Sequence, residues 1–362
     1  MAVGPVPGGV LQTRVLPVDI SNVKLGQYKN PKSLETWEVL TTIAALDEAA
    51  QHLKTSSIPV GFPTETVYGL GADATRSDAV KGIYKAKGRP SDNPLIVHVS
   101  DLTMLRSYLV PPVDGTDSIP QIYKPLIERF WPGPLTILLP NPTSSKLAPE
   151  VTAGLPSFGA RIPDSPLALS LIHLVGVPLA APSANASTKP SPTTAEHVRN
   201  DLDGRIELIL DGGPCLVGVE STVVDGICNP PVVLRPGGVS IDRIRECEGW
   251  EAVVKGYKDA SEVGTATPRA PGMKYKHYSP KAKVVLYEFS FISYTNDVQA
   301  GIRALPSSGI IPKVGIVKTK FWIDWAGILE ATYSGLDSQY RYAFSNARSG
   351  ILLLALSTPK SD

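Results

Sequence analysis

Seven short apolar runs, each bounded by turn residues, set the tightest limit on what this chain can fold into. They are 58–62 (IPVGF), 94–99 (PLIVHV), 135–139 (LTILL), 177–181 (VPLAA), 206–210 (IELIL), 220–225 (ESTVVD) and 231–235 (PVVLR). Runs of this length and spacing predict strands. Helical stretches lie between several of them, including 77–87, 119–130 and 165–174. Apolar strands alternating with helices predict an α/β domain whose sheet is largely covered and parallel in part. Short steps between the later strands predict antiparallel pairs as well, so the sheet is expected to be mixed.

The rest of the chain divides by texture. Residues 1–33 read as an irregular extension. From Glu35 the pattern turns helical, with Leu40, Ile43, Ala44, Ala50 and Leu53 at three- and four-residue steps. The main α/β domain is expected over 34–247. The polar, turn-rich segment 248–280 reads as a linker. Strands resume at 282–287 (AKVVLY) and 313–317 (KVGIV), predicting a smaller α/β domain over 281–362.

Composition narrows the function classes. With 35 Lys+Arg against 34 Asp+Glu the net charge is +1, which argues against broad electrostatic binding to nucleic acid or acidic membranes. Only 7% of residues are aromatic, leaving few platforms on which single strands could stack. Cys215, Cys228 and Cys247 form no CxxC pair, which suits a reducing compartment and predicts no metal site. No apolar run approaches a membrane span, and the first twenty residues lack a signal-peptide core, so a cytoplasmic location is expected.

Within this neutral chain, Lys85, Lys87 and Arg89 cluster where the helix 77–87 stops. Ser77 is expected to cap that helix and Gly88 to end it. Cations in a last turn oppose the helix dipole, which accounts for Lys81 and Lys85. Lys87 and Arg89 stand just ahead of a strand edge and suit a polyphosphate or carboxylate ligand. His98 lies in an apolar run on the face of Ile96, opposite Leu95, Val97 and Val99. Taken alone, it reads as a core histidine with a satisfied ring nitrogen.

Three further stretches carry polar groups at strand ends. In GFPTETVYGLGADAT (61–75), Thr64, Glu65 and Thr66 follow a strand, and the small hydroxyls serve either as ligand contacts or as turn residues bonding their own backbone. In APSANASTKPSPTTAEH (181–197), Ser183, Asn185, Ser187, Lys189 and Ser191 decorate a proline-stiffened loop, with Thr193 or Thr194 capping the next helix. In ARIPD, GVESTVVD and VVLRPGGVS, Arg161, Ser221 and Arg235 stand at strand edges beside Pro or Gly. There is no GxxxxGK[ST] loop, GxGxxG fingerprint, HExxH pair or GxSxG elbow. Such a set, poor in candidate bases, points to catalysis by positioning and charge neutralisation, as in nucleotidyl or phosphoryl transfer.

PTETVYGLG, the Lys-x-Arg of KGRP before PLIVHV, the Ser-x-Asn of APSANASTKPSPT, ESTVVD, LRPGG and APGMKYKHYSP occur here in one order. Together they resemble the YrdC-like threonylcarbamoyl-AMP synthases, in the long form with an extra C-terminal domain. The resemblance covers about 35–280. It implies a YrdC-like domain with a twisted mixed sheet, then a linker and a smaller Rossmann-like α/β domain. The closing stretch SNARSGILLLALSTPKSD departs from the long form's last helix and strand, which leaves that domain's completeness open.

The implied reaction joins L-threonine, bicarbonate and ATP, with Mg²⁺ bound to the ATP, into threonylcarbamoyl-adenylate and pyrophosphate. The product implied is the donor for threonylcarbamoylation of adenosine 37 in ANN-decoding tRNAs, passed on to a tRNA threonylcarbamoyl transferase complex. On the same resemblance Lys87, Arg89, Ser183 and Asn185 form the catalytic tetrad around the nucleotide. Asn93, Ser157, Ser191 and Arg235 would contact ATP, with Tyr278, or Tyr275 in its place, reaching back from the linker. Thr66, His98, Arg161, Ala181 and Ser221 would surround threonine, with Arg161 on its carboxylate.

A rival reading is a double-stranded RNA-binding module without this catalysis, disfavoured by the neutral charge and few aromatics, with weak RNA binding left open. A carbamoyl-adenylate enzyme of the hydrogenase-maturation kind is a third, disfavoured by the missing acylphosphatase-like segment and zinc-finger cysteines. Dividing the cationic cluster as above predicts unequal effects. Arg89→Ala should lower kcat/KM for ATP roughly tenfold to a hundredfold, since a hydrogen bond to a charged group is worth about 1.5–3 kcal/mol. Lys85→Ala should change it little, and equal losses in steady-state kinetics would overturn the division.

Overall fold

Backbone pairing of the short apolar runs builds one large sheet. A computed structural model describes residues 11–19, 23–30, 32–88, 91, 93–187 and 189–256, and strands at 283–288, 313–317 and 351–357. The chain divides into two units, Met1–His277 and Tyr278–Asp362. The first unit opens with β1 (Arg14–Pro17), β2 (Gly26–Tyr28), β3 (Trp37–Val39), β4 (Val60–Phe62) and β5 (Gly69–Asp73). It continues with β6 (Ile96–His98), β7 (Leu135–Pro140), β8 (Ser157–Arg161) and β9 (Leu179–Ala180). Its last strands are β10 (Leu208–Asp211), β11 (Thr222–Asp225), β12 (Val232–Arg235) and β13 (Val254–Lys255). Helices α1 (Ala44–Thr55), α2 (Ser77–Lys87), α3 (Leu102–Arg106) and α4 (Lys124–Phe130) lie between them. So do α5 (Pro149–Thr152), α6 (Pro166–Val175), α7 (Ala195–Leu202) and α8 (Ile241–Arg245).

The sheet runs β1-β10-β4-β5-β9-β6-β8-β7-β11-β12-β13. It is mixed: β6 pairs parallel with β8 and β7 with β11, while β9 runs antiparallel to both β5 and β6. Both faces are covered. Consecutive residues Leu179 and Ala180 on β9 join different apolar clusters, the first with α1 and α6, the second with α2 and the side chains Val97 and Phe158. This is the pattern of strands buried on both sides.

Several boundaries differ from the sequence reading. The extension expected to be irregular over 1–33 contains β1, which extends the sheet beside β10 through Arg14 N–H to Glu207 O and Val18 N–H to Asp211 O, both 2.8 Å. It also contains β2, half of a hairpin with β3, where Tyr28 and Trp37 meet edge to face at 5.0 Å. Such short strands are defined by partners far along the chain, which local periodicity does not register. The helix expected from Glu35 begins only at Ala44, and Leu40 is an exposed residue rather than part of a buried face. Residues 119–130 split into a 3₁₀ turn at Gln121–Tyr123 and α4. Ser77 does not cap α2: it is the first helical residue and donates its hydroxyl to Glu150 at 2.8 Å. Gly88 does end the helix, at φ +64°, the left-handed conformation that glycine adopts without strain. Thr194 caps α7, accepting from His197 N–H.

The segment expected to begin a linker at 248 is still part of the sheet's edge. Trp250 is wholly buried, donates Nε1–H to Ile122 O at 2.7 Å, and packs on Tyr123. Beyond it β13 pairs with β12. Residues 257–280 lie outside the described set. In the second unit the described strands β14 (Lys283–Glu288), β15 (Lys313–Val317) and β16 (Ile351–Ser357) take the order β14-β16-β15, antiparallel throughout. A Rossmann-like unit would set its strands parallel, and these pairings do not. The closing run ILLLALS supplies the central strand.

Removing the buried indole should be costly. Trp250→Ala is expected to lower stability of the first unit by about 3–5 kcal/mol, the range for a large aromatic truncated in a core. Urea unfolding followed by circular dichroism checks it.

Candidate functional site

The middle strands place the site. In the parallel pair of β6 and β8, His98 lies directly opposite Arg161, and Ala181 extends β9 by donating its N–H to Ile96 O at 2.9 Å. At this edge opens a cleft whose space, counted out into the solvent at its mouth, is about 640 Å³. Thr66, Asn93, His98, Arg161, Ala181, Ser183, Ser221 and Arg235 line it, together with Thr64 and Glu220.

Arg161 is held on three sides. Its Nε–H donates to Gly133 O at 3.1 Å and one Nη1–H to Thr66 Oγ1 at 3.0 Å. An Nη2–H donates to Glu65 Oε1, with both side chains about 95% buried (4% and 5% exposed). Thr66 is itself fixed by a turn in which Thr64 Oγ1 donates to Val67 O at 2.7 Å and accepts from the N–H groups of Thr66 and Val67. Of the two readings of the 64–66 hydroxyls, that of Thr64 satisfies the turn, while that of Thr66 meets Arg161. Both residues line the cleft.

His98 is buried with its Nδ1 3.3 Å from Ile96 O. A carbonyl can only accept, so Nδ1 carries the proton and Nε2 presents a lone pair. Burial, with the Arg161 charge beside it, pushes the ring's pKa down to about 3, so the imidazole is neutral near pH 7. It can accept a hydrogen bond there but cannot supply positive charge.

Along the neighbouring strands β7, β11 and β12 runs a relay of hydroxyls. Thr136, wholly buried on β7, lies 2.7 Å through its Oγ1 from Ser221 Oγ. Arg235 at the end of β12 donates to Ser221 O at 2.7 Å and to its Oγ at 3.1 Å. Ser191 donates to Glu220 Oε1. Beside the Thr64–Glu65 turn, Cys215 is no nucleophile, because desolvation pushes its thiol up to about 12.

Lys87 is nearly fully buried at the end of α2. Its Nζ donates to Ser183 O, to Asn185 O at 2.7 Å and to Asn185 Oδ1 at 3.5 Å, so it lashes the helix end to the Ser-x-Asn loop. Asn185 closes that loop with Nδ2–H bonds to Ala186 O and Lys189 O. Neither Lys87 nor Asn185 lines the cleft, while Ser183 between them does. Asn93 lines it with Oδ1 buried and without a hydrogen-bond partner among the described residues. Ser157 stands at the far end of β8, four residues and about 13 Å along the strand from Arg161, and is not part of the lining. Arg89, Tyr275 and Tyr278 lie outside the described residues. Sequence reasoning missed Glu65, Glu220 and Thr136 as site groups. For Thr136 the signal was a lone hydroxyl inside the apolar run LTILL.

With this geometry in hand, relatives can be compared. Residues 55–237 match the Sua5/YciO/YrdC family profile, described as "Telomere recombination". Residues 239–323 match the profile described as "Threonylcarbamoyl-AMP synthase, C-terminal domain". A Schizosaccharomyces pombe protein named threonylcarbamoyl-AMP synthase is 51% identical over 302 residues, 78% of this chain and 73% of that one. A Bacillus subtilis protein of the same name is 47% identical, covering 82% of this chain and 80% of that one. The crystal structure of Pyrococcus abyssi Sua5 complexed with L-threonine superposes with TM-score 0.59 and 44% identity over 66% of each chain.

The neutral ring of His98 has a pH signature. Its folded pKa near 3 lies below the ordinary 6.5, so the unfolded chain binds the proton more readily. The contribution to stability is complete above pH 6.5 and is lost as pH falls towards 3, by up to about 1.4 kcal/mol per pH unit. Between pH 7 and 4.5, wild type should therefore lose more stability than His98→Gln in parallel urea unfolding.

Proposed function

We infer the function from one premise: this chain belongs to the Sua5/YciO/YrdC family, in the two-domain threonylcarbamoyl-AMP synthase form. It is an enzyme, a nucleotidyltransferase that makes threonylcarbamoyl-AMP from L-threonine and ATP, with bicarbonate supplying the carbamoyl carbon and pyrophosphate leaving. The observation that carries this reading is the gathering of Thr66, His98, Arg161, Ala181 and Ser221 around one cleft, beside Asn93, Ser183 and Arg235. The related Sua5 structure was solved with L-threonine bound. The high identity to named synthases favours this catalysis over a bare RNA-binding module.

The chemistry follows from the groups present. Threonine's carboxylate takes the remaining N–H groups of Arg161, a planar fork matched to a planar anion. Neutral His98 accepts a hydrogen bond from the amino acid's ammonium or hydroxyl through Nε2. The amine, once it has lost a proton, adds to carbon dioxide derived from bicarbonate and releases a second proton, giving the carbamate. One carbamate oxygen then attacks the α-phosphorus of ATP as the bond to pyrophosphate breaks. No protein nucleophile is needed, and the site works by holding reactants in line and neutralising charge. Arg235, Asn93 and Ser183 lie on the nucleotide side, with Ser191, Ser157 and Arg89 assigned there by the family pattern.

Among the described residues no three His, Cys, Asp or Glu side chains come together as a metal cage. Mg²⁺ would arrive on the ATP phosphates and would offset their charge there. The adenylate passes to a transferase that modifies adenosine 37 of ANN-decoding tRNAs, and a cytoplasmic location agrees with that role. Among the described residues no helix is long and apolar enough to cross a membrane.

Incubation with ATP, bicarbonate and labelled threonine should yield pyrophosphate and a threonine-bearing adenylate in equal amounts, and failure to form either would sink the reading. Arg161→Lys, which keeps the charge but loses the fork, should weaken threonine binding about tenfold or more and leave ATP binding nearly intact, as calorimetric titration of each ligand would report. Arg161→Ala is the poorer probe. It strands a buried Glu65 charge, at about 3–5 kcal/mol of stability.

A further inference from the structure

Glu65 makes the charged contact to Arg161, yet it does not line the cleft. Its backbone is held in place: Val217 N–H donates to Glu65 O at 2.8 Å, and Gly218 N–H to Thr66 O at 2.9 Å. Its carboxylate therefore reaches Arg161 from a fixed turn. Oε1 accepts from Arg161, while Oε2 is buried with no hydrogen-bond partner among the described residues.

Stability is a poor explanation for this arrangement. Desolvating two charges cancels most of what a buried ion pair gains, and a half-satisfied carboxylate does worse. The pair does better as a positioning device. Among the described residues three of the five guanidinium N–H groups are committed, to Gly133 O, Thr66 Oγ1 and Glu65 Oε1, which leaves two. A guanidinium pinned this way keeps one orientation and loses little freedom when an anion arrives.

We propose that Glu65 is a positioning residue for the amino-acid substrate: it fixes the Arg161 guanidinium so that its two uncommitted N–H groups meet the carboxylate of threonine. This rests on the reading that Arg161 receives that carboxylate. Glu65 itself touches no substrate. Its loss should show in threonine affinity and leave both ATP affinity and turnover at saturating threonine nearly unchanged.

The test uses the full chain and two variants. Glu65→Gln keeps the shape and an accepting oxygen but replaces an ion pair by a hydrogen bond in which only the arginine is charged. Its Kd and KM for threonine should rise about fivefold, the equivalent of about 1 kcal/mol. Glu65→Ala should raise them more than tenfold, and Glu65→Gln keeps the test open if the alanine variant fails to fold. For both variants kcat and the Kd for ATP should stay within about twofold of wild type. A merely structural role would instead lower kcat through a smaller folded fraction, with KM unmoved. That outcome, an unchanged threonine Kd in Glu65→Gln, or parallel losses for ATP and threonine would overturn the role of Glu65. A wild-type chain that bound no threonine would overturn the Arg161 reading itself and this role with it.

Discussion

The site depends first on strand register. β6 and β8 run parallel with His98 opposite Arg161 and Ile96 opposite Gly159. Because side chains alternate faces, a one-residue slip of either strand would turn its polar group into the apolar layer, offering Val97 in place of His98 or Ala160 in place of Arg161. What prevents the slip is the covering on both faces. Val97, Val99 and Ala160 are already fully engaged in the core, so register and core packing enforce each other.

Around that pair the protein buries charge in three ways. Lys87 is solvated by backbone carbonyls, Arg161 by a carboxylate, a hydroxyl and a carbonyl, and His98 avoids charge altogether. The three solutions share a consequence. Each group is immobile before any ligand arrives, so little reorganisation remains for the chemical step. The carbamate of the proposed reaction needs no protein nucleophile once it is aligned with phosphorus.

Much of this was legible in the sequence, and the limits have physical causes. The apolar runs at 135–139 and 313–317 lie within β7 and coincide with β15, and β7, buried on both faces, announces itself by composition. β8 was not among the predicted runs, since SFGAR holds too few apolar residues to stand out until its partners on both sides are known. Arg161, Ser221 and Arg235 were singled out because a charge or hydroxyl at a strand edge beside Pro or Gly is unusual, and all three line the cleft. Lys87 was also noticed, as a cation suited to an anionic ligand. Its buried ammonium is occupied by Ser183 and Asn185 nearly a hundred residues away, a contact that no local pattern encodes. Glu65 was quoted within PTETVYGLG and given no task, because the reason for a carboxylate there is an arginine on another strand.

The edge formed by β12 and β13 bears on how this protein can be divided. Gly226 approaches Trp250 so closely that a Cβ there would lie 2.9 Å from the indole, and its N–H bonds to Tyr123 OH at 2.8 Å. Trp250 and β13 are therefore fitted into the large sheet's rim, although they lie beyond residue 247 where composition turns polar. A fragment cut at that composition boundary would carry an open socket and a bared β12, with unpaired backbone groups available to a neighbouring molecule. Such a fragment would invite edge-to-edge association, whereas one extended past 256 would keep its rim sealed.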